Sequence, residues 1–308
     1  MEIEKDFVFQ GLSPIEPPAP LHALGPLQHL PGKWTGRGFN QIWRPFHSLN
    51  PSVDHFLELN LTIENLEVDR IPGTIPNRGF LQGDISLVGL HYLQQIKDLH
   101  LNAGIHVEPG IWVTVPETTN PYEPTTVVRM ASIPHGTTIE AQGTASPPIN
   151  HAPTIPPVSI KPFPIGYPVY PITLPESDLA TPTKFRTPPP QLTGITQLMV
   201  NDPNSVLRTA IEGQVITETT ILQISSKLGV LSAPGAGGGT DNIAFLAGAA
   251  AGPNALAAQV DATFWIETVK EPSGQILHQL QYSQTVLLNF NLLSWPHVSV
   301  ATLRRHPT

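Results

Sequence analysis

The stretch HFLELNLTIENLEVDRI at residues 55–71 alternates apolar and polar positions over most of its length. Because successive side chains of a strand point to opposite faces, this alternation predicts a long β-strand. Three segments that follow it are rich in β-branched and aromatic residues and are bounded by Gly, Pro and Asn, as strands usually are. They are ISLVGLHYLQQI (85–96), IHVEPGIWVTV (105–115) and TTVVRMASI (125–133).

Strand patterns resume in the C-terminal part of the chain. They are GITQLMV (194–200), GQVITETTILQISS (213–226), DATFWIETVKE (261–271), ILHQLQYSQTVLLNFN (276–291) and HVSVATLRR (297–305). Neither group of strands is long enough to close a barrel by itself. We therefore expect an all-β protein in which both groups join in one antiparallel domain over residues 32–308.

Three parts of the chain do not read as barrel strands. Residues 1–31 are expected to form an N-terminal arm on the surface. Residues 147–190 contain 14 prolines, which lack the donors of an interior strand and favour an extended connection. Four aromatic side chains in that segment, Phe163, Tyr167, Tyr170 and Phe185, leave open an ordered flap. The Gly/Ala-rich residues 233–259 are predicted to form a second insertion, with a short helix at 242–250.

The composition excludes several function classes. With 16 Lys and Arg against 24 Asp and Glu, the net charge of −8 makes nucleic acid an improbable partner. The chain has no cysteine, which rules out disulfides, Fe–S clusters and thiol catalysis. It also has no run of 18 apolar residues, and its acidic start does not resemble a secretory signal, so we expect no membrane span and a cytoplasmic location.

Twelve histidines are many for a chain in which only 13% of residues are charged. Four of them lie in or at the end of strong strand patterns: His91, His106, His135 and His297. His106 and Glu108 are two residues apart and should face the same side of the sheet. With a third histidine they would suit a non-haem metal site, and structural roles for all four histidines are the other interpretation. Hydrolase motifs such as GxSxG and HExxH are absent.

Four segments resemble, in order, those of the nitrobindin-like haem-binding β-barrels. They are LPGKWTGRGFN (30–40), with its G-x-W-x-G-x-G pattern, LHYLQQI (90–96), IHVEPGIW (105–112) and HVSVATLRR (297–305). The resemblance implies a single antiparallel up-and-down barrel of the calycin, fatty-acid-binding-protein-like kind, with ten strands. The chain is much longer than that family's barrel, so it resembles an enlarged member with Pro-rich and Gly/Ala-rich insertions.

The resemblance also implies a site. His297 matches the axial ligand of haem b iron, and His106 matches the histidine near the opposite haem face. Trp34, Phe39 and Ile105 would contact the haem through apolar surface.

Three functions follow from this site. Peroxidase-type oxidation with hydrogen peroxide would use His106 or His135 as the base and Arg129 as the cation that stabilises the leaving oxygen. The family-like alternative is binding of nitric oxide and isomerisation of peroxynitrite. The third is a non-enzymatic carrier of a hydrophobic ligand. The partner in each case is a small molecule, such as a peroxide, nitric oxide or an organic reductant, and the sequence leaves open whether the chain forms a homo-oligomer.

Overall fold

Ten antiparallel strands form a closed up-and-down barrel, which confirms the predicted fold class. The structure is a computed structural model that describes residues 17–46, 54–120, 122–134, 136–227, 239–242 and 255–307. The barrel strands are Gly32–Pro45 (β1), His55–Arg70 (β2), Ile85–Asp98 (β3), Gly104–Val115 (β4), Thr126–Ser132 (β5), Thr137–Ala145 (β6), Val215–Ser225 (β7), Leu256–Lys270 (β8), Ile276–Phe290 (β9) and Leu293–Arg305 (β10).

Each barrel strand pairs with the next along the chain, and β1 closes the ring by pairing with β10. Shorter strands are Ile75–Asn77, Thr118–Thr119, Tyr122–Glu123, Phe163–Pro164 and Gly239–Asn242. Helical turns of the 3-10 type are Leu21–Leu27, Pro175–Ser177 and Pro189–Leu192, and the α-helices are Gln197–Asn201 (α1) and Ser205–Ile211 (α2). Among the described residues, no helix has the length and apolar composition needed to cross a membrane.

Helix α1 replaces the strand predicted at 194–200, and α2 follows it. Thr196 caps α1, since its side chain accepts a hydrogen bond of 3.3 Å from the backbone N–H of Met199. An N-cap of this kind satisfies a donor that a strand would pair with a neighbour. A short apolar run is compatible with either element, and here the cap and the packing of Val200 and Leu207 on the barrel favour helix.

The described part of the N-terminal arm enters the barrel instead of lying on its surface. Leu24, Leu27 and Leu30 are fully buried and belong to the core inside one end of the barrel. Trp34 lies in the same cluster and donates a hydrogen bond of 2.8 Å to the carbonyl of Leu30. The arm therefore acts as an apolar plug, and burying its leucines is favourable in the usual way for aliphatic side chains.

A second apolar cluster lies on the outside of the barrel, between the wall and the proline-rich segment. Phe39, Trp43 and Trp295 are its largest wall residues, and each is almost completely buried. The proline-rich segment contributes Ile155 and Ile160 and accepts a hydrogen bond of 2.8 Å from the indole of Trp43 through the Ile160 carbonyl. Residues 147–190 thus form an ordered cover on the outer wall.

The Gly/Ala-rich insertion is described only in part. Residues 239–242 form a short strand along β6, and residues 256–259 belong to β8. The helix predicted at 242–250 lies, beyond Asn242, outside the described residues.

One buried acid on the outer wall makes stability depend on pH. Glu267 of β8 is fully buried, and its Oε2 accepts a hydrogen bond of 2.7 Å from Gln279, whereas Oε1 has no partner in the described chain. Burial raises the pKa of Glu267 from 4.5 to about 7, and the Gln279 hydrogen bond offsets only part of this effect.

We predict that Glu267→Gln removes this dependence. The folded wild type binds more protons than the unfolded chain between pH 4.5 and about 7, so its stability falls as the pH rises through that range. The difference in unfolding free energy between Glu267→Gln and wild type should shift in favour of the variant by at most about 3 kcal/mol from pH 4 to pH 8, since a tenfold change in proton affinity is about 1.4 kcal/mol. Urea unfolding from pH 4 to 8 measures it, with the exposed Glu140→Gln as control. Parallel pH profiles for wild type and Glu267→Gln would contradict it.

Candidate functional site

The half of the barrel away from the N-terminal plug encloses a cavity of about 330 Å³. Aliphatic side chains line much of its wall, among them Ile42, Ile96, Ile105, Ile133, Val286 and Leu288. Polar and charged side chains also reach it, and they include Asn40, Glu58, Asn60, Glu64, Gln94, His106, Glu108, Arg129, Tyr282, Gln284, His297 and Ser299. An apolar cavity with a few convergent polar groups is the usual form of a small-molecule site.

The polarity of β2 explains how polar side chains come to face the interior. At the cavity end of this strand, Leu57 and Leu59 point outward into the external cluster, whereas Glu58 and Asn60 point inward. Towards the plug the pattern reverses, and Val68 packs inside. Even-numbered side chains thus face the interior along the whole of β2, and it is the apolar residues that shift from odd to even positions.

Along β10 the inward-facing side chains likewise change from polar to apolar. Val298 and Val300 are buried outside the barrel, and His297 and Ser299 line the cavity between them. Further along, Ala301 belongs to the internal core.

A buried ion pair lies at the floor of the cavity. The Arg129 guanidinium donates to Glu108 Oε1 and, over 2.5 Å, to Gln284 Oε1. Tyr92 donates to Glu108 Oε1 as well and accepts a hydrogen bond of 2.9 Å from Arg129 Nε. His106 Nε2 lies 3.2 Å from Glu108 Oε2. Gly110 makes room for this arrangement, because a Cβ at Gly110 would lie 2.3 Å from the Tyr92 ring.

The ion pair fixes the charges of its members. Burial alone raises the pKa of the Glu108 carboxyl, but the Arg129 guanidinium and the hydrogen bonds from His106 and Tyr92 outweigh it and lower that pKa to about 2. Burial favours neutral arginine, but the contacts with Glu108 and Tyr92 keep the pKa of Arg129 above its ordinary value. At neutral pH the floor therefore holds one compensated pair of charges.

A second acid, Glu64, lies beside this pair. Its Oε2 accepts hydrogen bonds of 2.7 Å from Tyr282 and 3.1 Å from Gln94, and its Oε1 accepts one of 2.9 Å from Thr62. Burial raises the pKa of Glu64, and these three hydrogen bonds offset only part of that effect. Gly38 is required beneath it, since a Cβ there would lie 2.7 Å from Glu64 Oε1.

His297 lies on the β10 wall of the cavity. Its Nε2 is 2.7 Å from Asn40 Oδ1, which also accepts a hydrogen bond of 2.8 Å from Ser299. On a ring of ten strands β10 is four places from β4, so His297 and His106 face the cavity from nearly opposite walls.

A half-exposed ion pair forms part of the cavity lining at the C-terminal end of β1 and the N-terminal end of β2. Arg44 Nε donates to Glu58 Oε2 over 2.7 Å, and the guanidinium lies 4.5 Å above the Phe56 ring. The exposed fractions of the two charged side chains are 41% and 32%. Arg44 is therefore a cation that solvent, or the end of a bound ligand, can reach.

The structure brings together four of the predicted site residues. Ile105, His106, Arg129 and His297 all line the cavity. Trp34 lies in the plugged core below the floor, and Phe39 is buried outside the barrel. His135 lies outside the described residues. Within the described ranges, no group of three or more His, Cys, Asp or Glu side chains is arranged to hold a metal ion.

Several residues of the site were not found by sequence reasoning. They are Asn40, Asn60, Glu64, Tyr92, Asp98, Tyr282 and Gln284. The available signal was the shift of the apolar residues from odd to even positions within 55–71, which places polar residues inside one half of the barrel.

Comparisons with known proteins add a structural likeness. No protein-family model matches the sequence, and no curated protein matches it significantly. The chain is similar to the crystal structure of Rv2717c from M. tuberculosis, with 15% sequence identity and a TM-score of 0.40. The match covers 94% of this chain and 99% of that chain. A TM-score this low supports no inference about function.

We predict that Arg129→Met destabilises the protein by about 3–5 kcal/mol at pH 7, because it leaves the buried Glu108 carboxylate without its cation. The double variant Arg129→Met/Glu108→Gln should lose less than the single variant, since no net charge then stays buried. Urea denaturation measures all three proteins. Lys33→Met, which breaks the exposed pair with Glu67, should have little effect. Equal losses in the single and double variants would contradict the assignment.

Proposed function

We propose that this barrel binds haem b in the cavity and that His297 is the axial ligand of the iron. The observation that carries the proposal is that the cavity has an imidazole on each of two nearly opposite walls, with aliphatic side chains between them. A neutral imidazole is a common ligand of haem iron, and an apolar wall suits the macrocycle. The resemblance of 30–40, 90–96, 105–112 and 297–305 to nitrobindin-like barrels supports the same reading.

The cavity residues fit such a group in their chemistry. About 330 Å³ is at the small end of ligand sites, so a haem would keep its carboxylate edge outside the enclosed part, where water solvates the charges. Arg44 is the half-exposed cation that could pair with a carboxylate there. Of the predicted apolar contacts, Ile105 lines the cavity, and Ile42, Ile96 and Val286 take the place of Trp34 and Phe39.

Bound haem would supply the redox and ligand-binding chemistry of its iron. The protein's own contribution on the far side is the pair of His106 and Glu108. Because the Glu108 carboxylate only accepts hydrogen bonds, it orients the His106 ring through Nε2. His106 is thereby suited to accept a proton from a bound small molecule and return it.

Peroxide-dependent oxidation is the activity that this pair favours within the haem proposal. Arg129 does not fill the role expected from the sequence, because Glu108 neutralises it and 4% of its side chain is exposed. It instead keeps Glu108 ionised. Binding of nitric oxide with isomerisation of peroxynitrite makes less use of a base, so His106→Ala should impair peroxidase turnover and leave that alternative nearly unchanged.

The first test is a haemin titration of the purified protein followed by its Soret absorption. We expect saturation at one haem per chain in the wild type, and a shifted or lost band in His297→Ala. His91→Ala is the matched control, because His91 is exposed on the outer face of the barrel. An unchanged band in His297→Ala would overturn the axial assignment, and no saturable binding would overturn the haem proposal.

Arg44 gives a second prediction. Arg44→Ala should weaken haemin binding about fivefold, in line with roughly 1 kcal/mol for a half-exposed ion pair. The same variant should bind haemin dimethyl ester as the wild type does, because the ester has no carboxylate to pair. Arg37→Ala, on the outward face of β1, serves as the control. Equal losses for acid and ester would show that Arg44 does not receive the carboxylate.

A carrier of an apolar ligand is the second candidate. The observation that favours it is that His297 Nε2 is already hydrogen-bonded to Asn40, while the aliphatic wall and polar floor suit an amphiphile. A protein that binds no haemin but takes up a fluorescent fatty-acid analogue, and loses it on Ile105→Asp, would support this function.

A further inference from the structure

A chain of side-chain hydrogen bonds runs around the cavity wall from His297 to a buried carboxylate. His297 Nε2 is 2.7 Å from Asn40 Oδ1, Asn40 Nδ2 donates to Asn60 Oδ1 over 3.1 Å, and Asn60 Nδ2 donates to Asp98 Oδ2 over 2.8 Å. The four residues lie on four successive strands of the ring, β10, β1, β2 and β3. The exposed fractions of Asn60 and Asp98 are 3% and 1%, so water does not compete for these bonds.

The Asp98 carboxylate sets the donor-to-acceptor direction of every hydrogen bond in this series. Asp98 is an acceptor only, and its other oxygen is held by the backbone N–H of Leu101 over 2.6 Å at the β3–β4 turn. Asn60 must therefore turn its NH₂ group towards Asp98 and its oxygen towards Asn40.

The Asn40 amide and the His297 imidazole are oriented in the same way. Asn40 donates to Asn60 and so presents its oxygen to Ser299 and His297. A hydrogen bond to that oxygen requires a proton on His297 Nε2, and the lone pair of the neutral ring is then on Nδ1.

We propose that Asp98 is a positioning residue for His297, which it fixes in the Nε2–H tautomer through Asn60 and Asn40. The relevance of this tautomer to haem binding rests on the function proposed above. A ligating histidine commonly donates its second ring N–H to an outer partner, which holds the ring and makes it a stronger ligand. Here a carboxylate three hydrogen bonds away performs that role, and the lone pair of the neutral ring is on Nδ1.

The test is the tautomer of His297 in the haem-free protein, read from ¹⁵N–¹H correlation spectra of protein labelled with ¹⁵N-histidine and assigned with His297→Ala. We expect the Nε2–H form in the wild type. In Asp98→Asn, the new amide should keep its oxygen on Leu101 N–H and present NH₂ to Asn60. Both asparagines would then turn, Asn40 would donate to His297, and the ring would change to the Nδ1–H form.

Asn60→Leu provides a variant that breaks the chain without touching Asp98 or His297, and we expect a mixture of the two tautomers. The matched control is Asp261→Asn, because Asp261 also accepts side-chain hydrogen bonds, from Ser225 and Gln259, but does not line the site cavity. It should leave the His297 signals unchanged. A wild-type Nδ1–H form, or the same tautomer in wild type, Asp98→Asn and Asn60→Leu, would overturn the inference.

Haemin titration distinguishes a failure of the positioning role of Asp98 from a failure of the haem proposal. If the wild type binds haemin, Asp98→Asn should bind it about 10–100-fold more weakly, the usual effect of losing an outer partner of a metal ligand, and Asp261→Asn should not. If the wild type binds no haemin, the haem proposal fails, whereas the tautomer spectra still decide the role of Asp98. Wild-type-like haemin affinity in Asp98→Asn would contradict the positioning role.

Discussion

A β-strand has only two faces, and at the cavity end of this barrel both faces are buried. The inner face carries the polar groups of the site, such as Glu58 and Asn60, so the apolar side chains of the same strands are forced outward. Leu57, Leu59 and Val300 are each fully buried on that outer side. An uncovered apolar surface of this size would attract other molecules. The polar cavity and the external cover therefore require each other.

The proline-rich segment suits this role because it covers a wall without competing for its hydrogen bonds. Prolines hold the chain extended and carry no N–H that a barrel strand would have to satisfy. The segment bonds to the barrel where β2 extends past its pairing with β3. There Leu57 N–H donates to the Phe185 carbonyl over 2.9 Å, and Thr187 N–H donates to the Leu57 carbonyl over 3.0 Å. No described residue of 147–190 lines the cavity, so this segment acts on the site from outside.

The strand pattern was enough to predict one antiparallel β-domain, because alternation and β-branched composition hold for each wall strand whichever face is apolar, and the resemblance supplied the up-and-down barrel. Pattern alone did not predict which face was which. In the cavity half of β2 the apolar Leu57 and Leu59 face the cover, whereas Glu58 and Asn60 face the cavity. Phe39 was assigned to the cavity by the resemblance and lies outside the barrel. His106 and His297 were placed in one site because the resemblance supplied their strands, whereas Asn40 and Asp98 depend on register across β10, β1, β2 and β3, which one sequence does not reveal.

The floor of the cavity separates a filled half of the barrel from a hollow half, and stability alone would not maintain that difference. Below the floor, the plug and Trp34 fill the barrel with close-packed apolar side chains. The upper half, which holds the cavity, could have been filled in the same way. Exchanging a buried ion pair for apolar side chains of similar volume is often neutral or stabilising. Yet the upper half keeps Glu108, Arg129 and Glu64 and leaves about 330 Å³ unfilled. Local departures from the rules of core packing are expected where a protein works. The charges and directed hydrogen bonds of this half therefore mark it as the candidate site, and the filled half packs the other end of the same strands.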